Sequence, residues 1–207
     1  MALVILMRHG EAENNVIHIL AGRKSEYHLT ERGKVQVADV AEKLKTVPID
    51  AIYTSPVTRA IETSQIVTEK IGIDHKIDGR LTETEMGSVT GMGTNDVLKK
   101  YGNLFLKFYQ DDDKMLRNMG VERFSAISAR MGNMLDYVAE KHPEKNVLLV
   151  THLDPIKAAI TRIMGLKPEV LFKMVIRNAS LTILKHSSRD YNLSAFNVMD
   201  ISRYPLE

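Results

Sequence analysis

Two histidines and two arginines in this chain stand at the ends of apolar runs, where an ionisable group needs a reason to be. The run 3–7 passes straight into Arg8-His9-Gly10. The run 51–53 leads to Thr54-Ser55-Pro56, with Arg59 just beyond, and the run 147–150 ends in Thr151-His152. Charged groups rarely border a core without a partner, so this pattern predicts a bound ligand. Two guanidinium forks beside two imidazoles suit a dianion, and phosphate is the commonest one. Helix N-termini near Ser55-Pro56 and Asp154-Pro155 would add backbone N–H donors. A neutral imidazole is also a nucleophile towards phosphorus, and nearby arginines disfavour its protonation. Arginines stabilise the charge spread over a phosphoryl group in flight. A leaving alkoxide still needs a proton, and Glu83 and Glu85 in "RLTETEMGSVTGM" are the candidate donors.

The elements that must position these groups follow from periodicity. Residues 3–7, 51–53, 147–150 and 180–184 read as strands, with a weaker candidate near 193–198. Val37, Val40, Ala41 and Leu44 fall on one helical face, as do Val57, Ala60, Ile61 and Ser64. Ile156, Ala159, Ile160 and Ile163 do the same, and a further helix runs through Phe124, Ile127, Met131, Leu135 and Val138. Strands alternating with helices predict an α/β fold, a three-layer sandwich whose mainly parallel sheet is covered on both faces. In such sheets ligands bind at the carboxyl ends of strands, which brings Arg8, His9, Arg59 and His152 to one rim. Residues from about 92 to 120 break the rhythm and include the run Asp111-Asp112-Asp113. They are expected to form a helical cap insertion in a single domain spanning 1–207.

Composition narrows the function classes. Lys and Arg total 28 against 26 Asp and Glu, a net charge of +2, without the basic excess of a general nucleic-acid binder. Cysteine is absent, which removes disulfides and thiolate metal sites. The apolar start is too short for a membrane span and has no basic segment or cleavage site, so a cytoplasmic protein is expected. His18, His28, His75, His142 and His186 show no metal-ligand spacing and are expected to be solvated; no metal site is predicted. The methionines read as core filler.

Five motifs in order give the chain a family likeness. They are Arg8-His9-Gly10-Glu11 with Asn15; Gly22 followed by Leu29-Thr30-Glu31-Arg32-Gly33; Ser55-Pro56-Val57-Thr58-Arg59-Ala60 with Glu62-Thr63; Arg80-Leu81-Thr82-Glu83 with Gly87 and Gly91; and Val150-Thr151-His152. Over nearly its whole length the chain resembles the histidine phosphatase superfamily, in the branch of cofactor-dependent phosphoglycerate mutases and related phosphatases. The resemblance implies that His9 becomes phosphohistidine, that Arg8, Arg59 and His152 hold the phosphoryl oxygens with help from Asn15, and that Glu83, before Glu85, donates the proton. Gly22 and Leu153 are expected at the substrate.

Three positions depart from the family pattern. Ala12 replaces a hydroxyl residue, Leu153-Asp154 replaces a glycine-containing pair, and Lys157 stands where arginine is common. Asp154 before Pro155 reads as a helix N-cap, and Leu153 as a side chain that narrows the pocket. Family mutases also carry an arginine pair after the acid loop, whereas "KKYGNLFLKFYQDDD" has none; Lys99, Lys100 or Lys107 would have to substitute. Hydrolysis of a small phosphomonoester, needing no cofactor, is therefore the first reading. A mutase dependent on 2,3-bisphosphoglycerate is the alternative, and a non-catalytic phospholigand-binding module is the third. The expected partner is a small phosphorylated metabolite, not nucleic acid or membrane, and a homodimer is left open.

Overall fold

The computed structural model describes residues 2–111, 114–187 and 190–202; Asp112 and Asp113 of the acidic run lie outside them. The strands are β1 (Ala2–Arg8), β2 (Ala51–Thr54), β3 (His75–Ile77), β4 (Val147–Thr151), β5 (Leu181–Ser187) and β6 (Asp190–Val198). They form one sheet in the order β3-β2-β4-β1-β5-β6. The pairings β1–β4, β2–β4 and β2–β3 are parallel, whereas β5 runs antiparallel to β1, and β6 to β5. The sheet is thus mixed, with its parallel part at β1–β4. Sequence reading overlooked β3, because His75-Lys76-Ile77 is a short, half-solvated edge without an alternating pattern.

Central strands covered on both faces read as unbroken apolar runs, and β1 shows why. Val4 and Leu6 enter one core with Leu149, Met131 and Ile160; Leu3, Ile5 and Met7 enter the other with Val37, Leu44, Ala60 and Val67. The helices that supply these layers are α2 (Glu31–Leu44) and α3 (Thr58–Ile71) on one side, and α7 (Phe124–Lys141) and α8 (Leu153–Met164) on the other. α1 (Glu13–Val16) is a single turn after β1. Three short helices, α4 (Thr94–Tyr101), α5 (Leu104–Gln110) and α6 (Lys114–Asn118), occupy the stretch that broke the pattern. Their apolar sides join the core of α7, where Phe124 meets Phe108 and Tyr109 edge-on, with ring centroids 5.7 and 5.2 Å apart. Such pairs add to the area they bury. Among the described residues, no helix is long and apolar enough to cross a membrane.

The expectation that the remaining histidines are solvated needs correction. His186 is buried between β1 and β6 and stacks on Tyr191 at 5.3 Å. Both faces of β5 are covered at that point, which a short polar-ended run does not reveal. His75 and His142 are half-buried and meet Thr68 and Tyr53 respectively, while His18 and His28 are exposed.

The loop after β1 is seated by a close approach. Thr30 caps α2 by accepting from the Gly33 N–H at 2.9 Å, and a Cβ on Gly33 would stand 2.0 Å from the Glu11 carbonyl. Only glycine admits that contact. Gly33→Ala should therefore cost about 2–3 kcal/mol, the range of an overpacked site, read as a lowered urea midpoint at unchanged m-value.

Candidate active site

The carboxyl end of β1 delivers Arg8 and His9 together. His9 is pinned by backbone bonds: its N–H donates to Thr151 O at 3.0 Å, and its carbonyl accepts from the Ala179 N–H at 3.0 Å. The ring's Nδ1 lies 2.7 Å from the Gly10 carbonyl, which can only accept. Nδ1 therefore carries the hydrogen, and Nε2 presents its lone pair. Arg59 Nε donates to that Nε2 at 3.2 Å. Burial, and then the charges of Arg59 and Arg8, hold the imidazole well below its ordinary pKa, so it is neutral.

Arg59 sits in the first turn of α3 and is almost wholly buried, with its guanidinium also donating to the carbonyls of Gly22 at 2.8 Å and Lys24 at 3.3 Å. Gly22 adopts a positive φ of 52°, which turns its carbonyl onto the guanidinium. Arg8 is anchored by a bond to the Ile176 carbonyl, while its Nε is buried without a partner among the described residues. His152 follows β4, its ring centroid 5.1 Å from that of His9 and its Nε2 2.7 Å from Ser55 Oγ. Its Nδ1 faces Glu83 Oε2 at 3.8 Å. Burial and Arg59 keep this imidazole neutral too. The four groups gathered at one rim by sequence reasoning do meet there.

Glu83 closes the same pocket. One carboxyl oxygen accepts from the Thr84 N–H at 2.9 Å, and burial, followed by repulsion from Asp154, pushes its pKa up to about 7 against the pull of Arg59 and Arg8. The loop that carries it is tied down at several points. Thr151 donates to the Leu81 carbonyl at 2.6 Å, Arg23 donates to the Glu83 carbonyl at 3.0 Å, and Arg23 and Arg130 both pair with Glu122. Glu85 lies outside the pocket lining, its carboxylate accepting from the Gly87 N–H at 3.0 Å.

Asn15 and Leu153 also line the pocket, as expected, and so does Gly22. Asp154 is different. The N-cap of α8 is His152, two residues earlier than the Asp-Pro pair suggests, so Asp154 lies inside the helix. Its buried carboxylate accepts from Thr84 Oγ1 at 2.9 Å and from the Tyr109 hydroxyl at 3.0 Å. The capping expectation is therefore wrong: these oxygens face the pocket and not the helix end. Lys157, also buried, donates to the Tyr109 hydroxyl at 2.9 Å.

Sequence reasoning missed Asn178. Its amide donates to the carbonyls of His9 at 3.2 Å and Gly10 at 3.3 Å and to Asn15 Oδ1 at 3.1 Å, so it braces the whole β1 loop. It precedes β5, and because β5 is antiparallel its amino end shares the rim with the carboxyl ends of β1 and β4. A search confined to carboxyl ends passes over it; a polar residue leading into an antiparallel strand is the signal.

The cavity holds about 400 Å³. Arg8, His9, Arg59 and Glu83 line one end, and Leu20, Met86, Val97, Phe105, Phe108 and Leu116 line much of the remainder. Among the described residues, Arg8 and Arg59 are the only arginines in the lining and no lysine joins them. Lys99, Lys100 and Lys107 are exposed on α4 and α5.

Residues 4–199 match the family model of the histidine phosphatase superfamily, branch 1. The chain belongs to that superfamily. As a histidine phosphatase it is an enzyme of phosphoryl transfer on small phosphates, and its relatives fall on both sides of the hydrolysis–isomerisation divide. It is 31% identical over 206 residues to a 2,3-bisphosphoglycerate-dependent phosphoglycerate mutase of Thermoplasma acidophilum, covering 98% of this chain and 97% of that one. It is 26% identical over 198 residues to phosphoserine phosphatase 1 of Hydrogenobacter thermophilus, covering 96% and 93%. Among solved structures, YhfR of Bacillus stearothermophilus superposes with a TM-score of 0.85 at 25% identity, covering 95% of this histidine phosphatase and 97% of YhfR.

Proposed function

We propose that this chain hydrolyses a small phosphomonoester through phospho-His9, without a metal. The observation that carries this reading is the neutral His9, whose Nε2 carries its lone pair at the Arg59 guanidinium, in a pocket lined also by Arg8 and Glu83 and with the His152 ring 5.1 Å away. The dianion is held by Arg8 and Arg59 with His152, where the Arg8 Nε–H, without a partner among the described residues, is a ready donor. His9 Nε2 attacks phosphorus as the ester P–O bond breaks, and Glu83 gives its proton to the departing alkoxide. The Gly10 carbonyl stabilises the positive ring through Nδ1–H. Water then attacks the phosphohistidine, Glu83 recovers the proton, and the N–P bond breaks to release phosphate and neutral His9. Residues 92–120 act in this reading as a cap on a single domain.

Hydrolysis is supported over isomerisation by the pocket's far end. A mutase must grip a carboxylate or second phosphate there, yet that wall is largely apolar, and among the described residues it is Asp154, a like charge, that lines it while Lys157 is turned onto the Tyr109 hydroxyl. The mutase reading, with 2,3-bisphosphoglycerate as its cofactor, draws on the relative at 31% identity.

One incubation separates the two. With 3-phosphoglycerate, with and without 2,3-bisphosphoglycerate, isomer formation should be negligible, whereas an alkyl or aryl phosphomonoester should release phosphate at a rate unaffected by EDTA. Isomer production stimulated by the bisphosphate would establish the mutase instead.

A further inference from the structure

We propose that Asp154 is a positioning residue for Glu83, setting the place and charge state of the proton donor and tying it to α5 through Tyr109. The inference rests on the phosphohistidine reading above and adds a residue to it. The geometry is a directed chain of hydrogen bonds. Lys157 Nζ donates to the Tyr109 hydroxyl at 2.9 Å, so that hydroxyl's one proton goes on to Asp154 Oδ1 at 3.0 Å. Thr84, adjacent to Glu83 in the chain, donates to the other oxygen at 2.9 Å. Accepting at both oxygens is the behaviour of a carboxylate. Thr84, Tyr109, Asp154 and Lys157 are all buried, so the chain is desolvated and orders the acid loop against α8 and α5 at once.

The same contacts place a second carboxylate beside Glu83. The charged and titratable groups facing Glu83 are Arg8 from β1 and His9 just after it, Arg59 from α3, His152 after β4, Tyr109 from α5, and Asp154 and Lys157 from α8. The cations favour the ionised form of Glu83; among these groups Asp154 alone supplies a fixed negative charge. Burial and the like charge of Asp154, which two hydroxyls hold in place, favour the protonated form of Glu83. Glu83 keeps the proton that the leaving group needs.

Asp154→Asn preserves the shape and one accepting oxygen but removes the charge. Turnover of an alkyl phosphate should fall about tenfold or more, a fraction of a general acid's usual contribution, while p-nitrophenyl phosphate, whose leaving group hardly needs a proton, should change little. The basic limb of the alkyl-phosphate pH profile should move about one unit towards acid, as loss of a like charge requires. Thr84→Val, which conserves shape and cuts one bond to Asp154, should give the same selective loss in smaller degree and serves if the Asn variant is poorly folded. Equal losses on both substrates with an unmoved limb would reduce Asp154 to a packing role, and no change on either would remove it from the reaction. Quenching the wild-type reaction on p-nitrophenyl phosphate keeps the two layers apart. A phospho-His9 adduct without the selective loss defeats only the Asp154 inference; no adduct defeats the phosphohistidine reading with it.

Discussion

His9→Ala should abolish turnover of every phosphomonoester, with kcat reduced by at least about 10⁴-fold, as when a covalent nucleophile is deleted. No neighbouring group can stand in. The Nε2 of His152 lies against Ser55 and its Nδ1 is turned to Glu83, whereas His9 lines the pocket with its Nε2 beside the Arg59 guanidinium that would hold the phosphoryl group. His9 also needs no deprotonation before attack, because burial and the two arginines already keep it neutral. The wild type, quenched with substrate, should carry an acid-labile, alkali-stable phosphate that mass spectrometry assigns to His9. A folded His9→Ala protein with wild-type turnover would end the phosphohistidine mechanism.

Glu83→Gln should reduce turnover of alkyl phosphates by roughly two to four orders of magnitude, the contribution of a positioned general acid. p-Nitrophenyl phosphate should suffer much less. The wild-type pH dependence follows with a definite sign. The group works as an acid in the first step, and its pKa is raised to about 7, so alkyl-phosphate turnover holds below that pH and declines as pH rises through it. In Glu83→Gln this limb should vanish. Glu85→Gln should behave as wild type, since that carboxylate is spent on the Gly87 N–H away from the lining. If the two variants exchanged patterns, Glu85 would be the donor.

Much of the rim was legible because parallel strands are long apolar runs whose ends fall on one edge. Arg8, His9 and His152 terminate such runs, and Arg59 follows one by a helix start that periodicity detects. The elements that escaped share a different cause. β3 is too short to show alternation, and Asn178 enters from the amino end of a strand whose direction no local pattern reveals. Asp154 escapes by two positions: Asp-Pro marks the beginning of a helix well, but His152 already occupies the cap. The bonds of Asp154 to Thr84 and Tyr109 span 70 and 45 residues of chain. No window on the sequence contains both ends.

The position of β1 between β4 and β5 has a consequence for how an active molecule comes into being. β1 leaves the ribosome before the other strands of its sheet and finds its two partners only when 147–151 and 181–187 have followed. Arg8 and the His9 backbone likewise wait for Ile176, Asn178 and Ala179. Non-local pairing of this kind makes folding slow and late. A nascent chain should therefore carry every motif residue up to His152 and still be inert, and activity should appear in one step when the last two strands emerge.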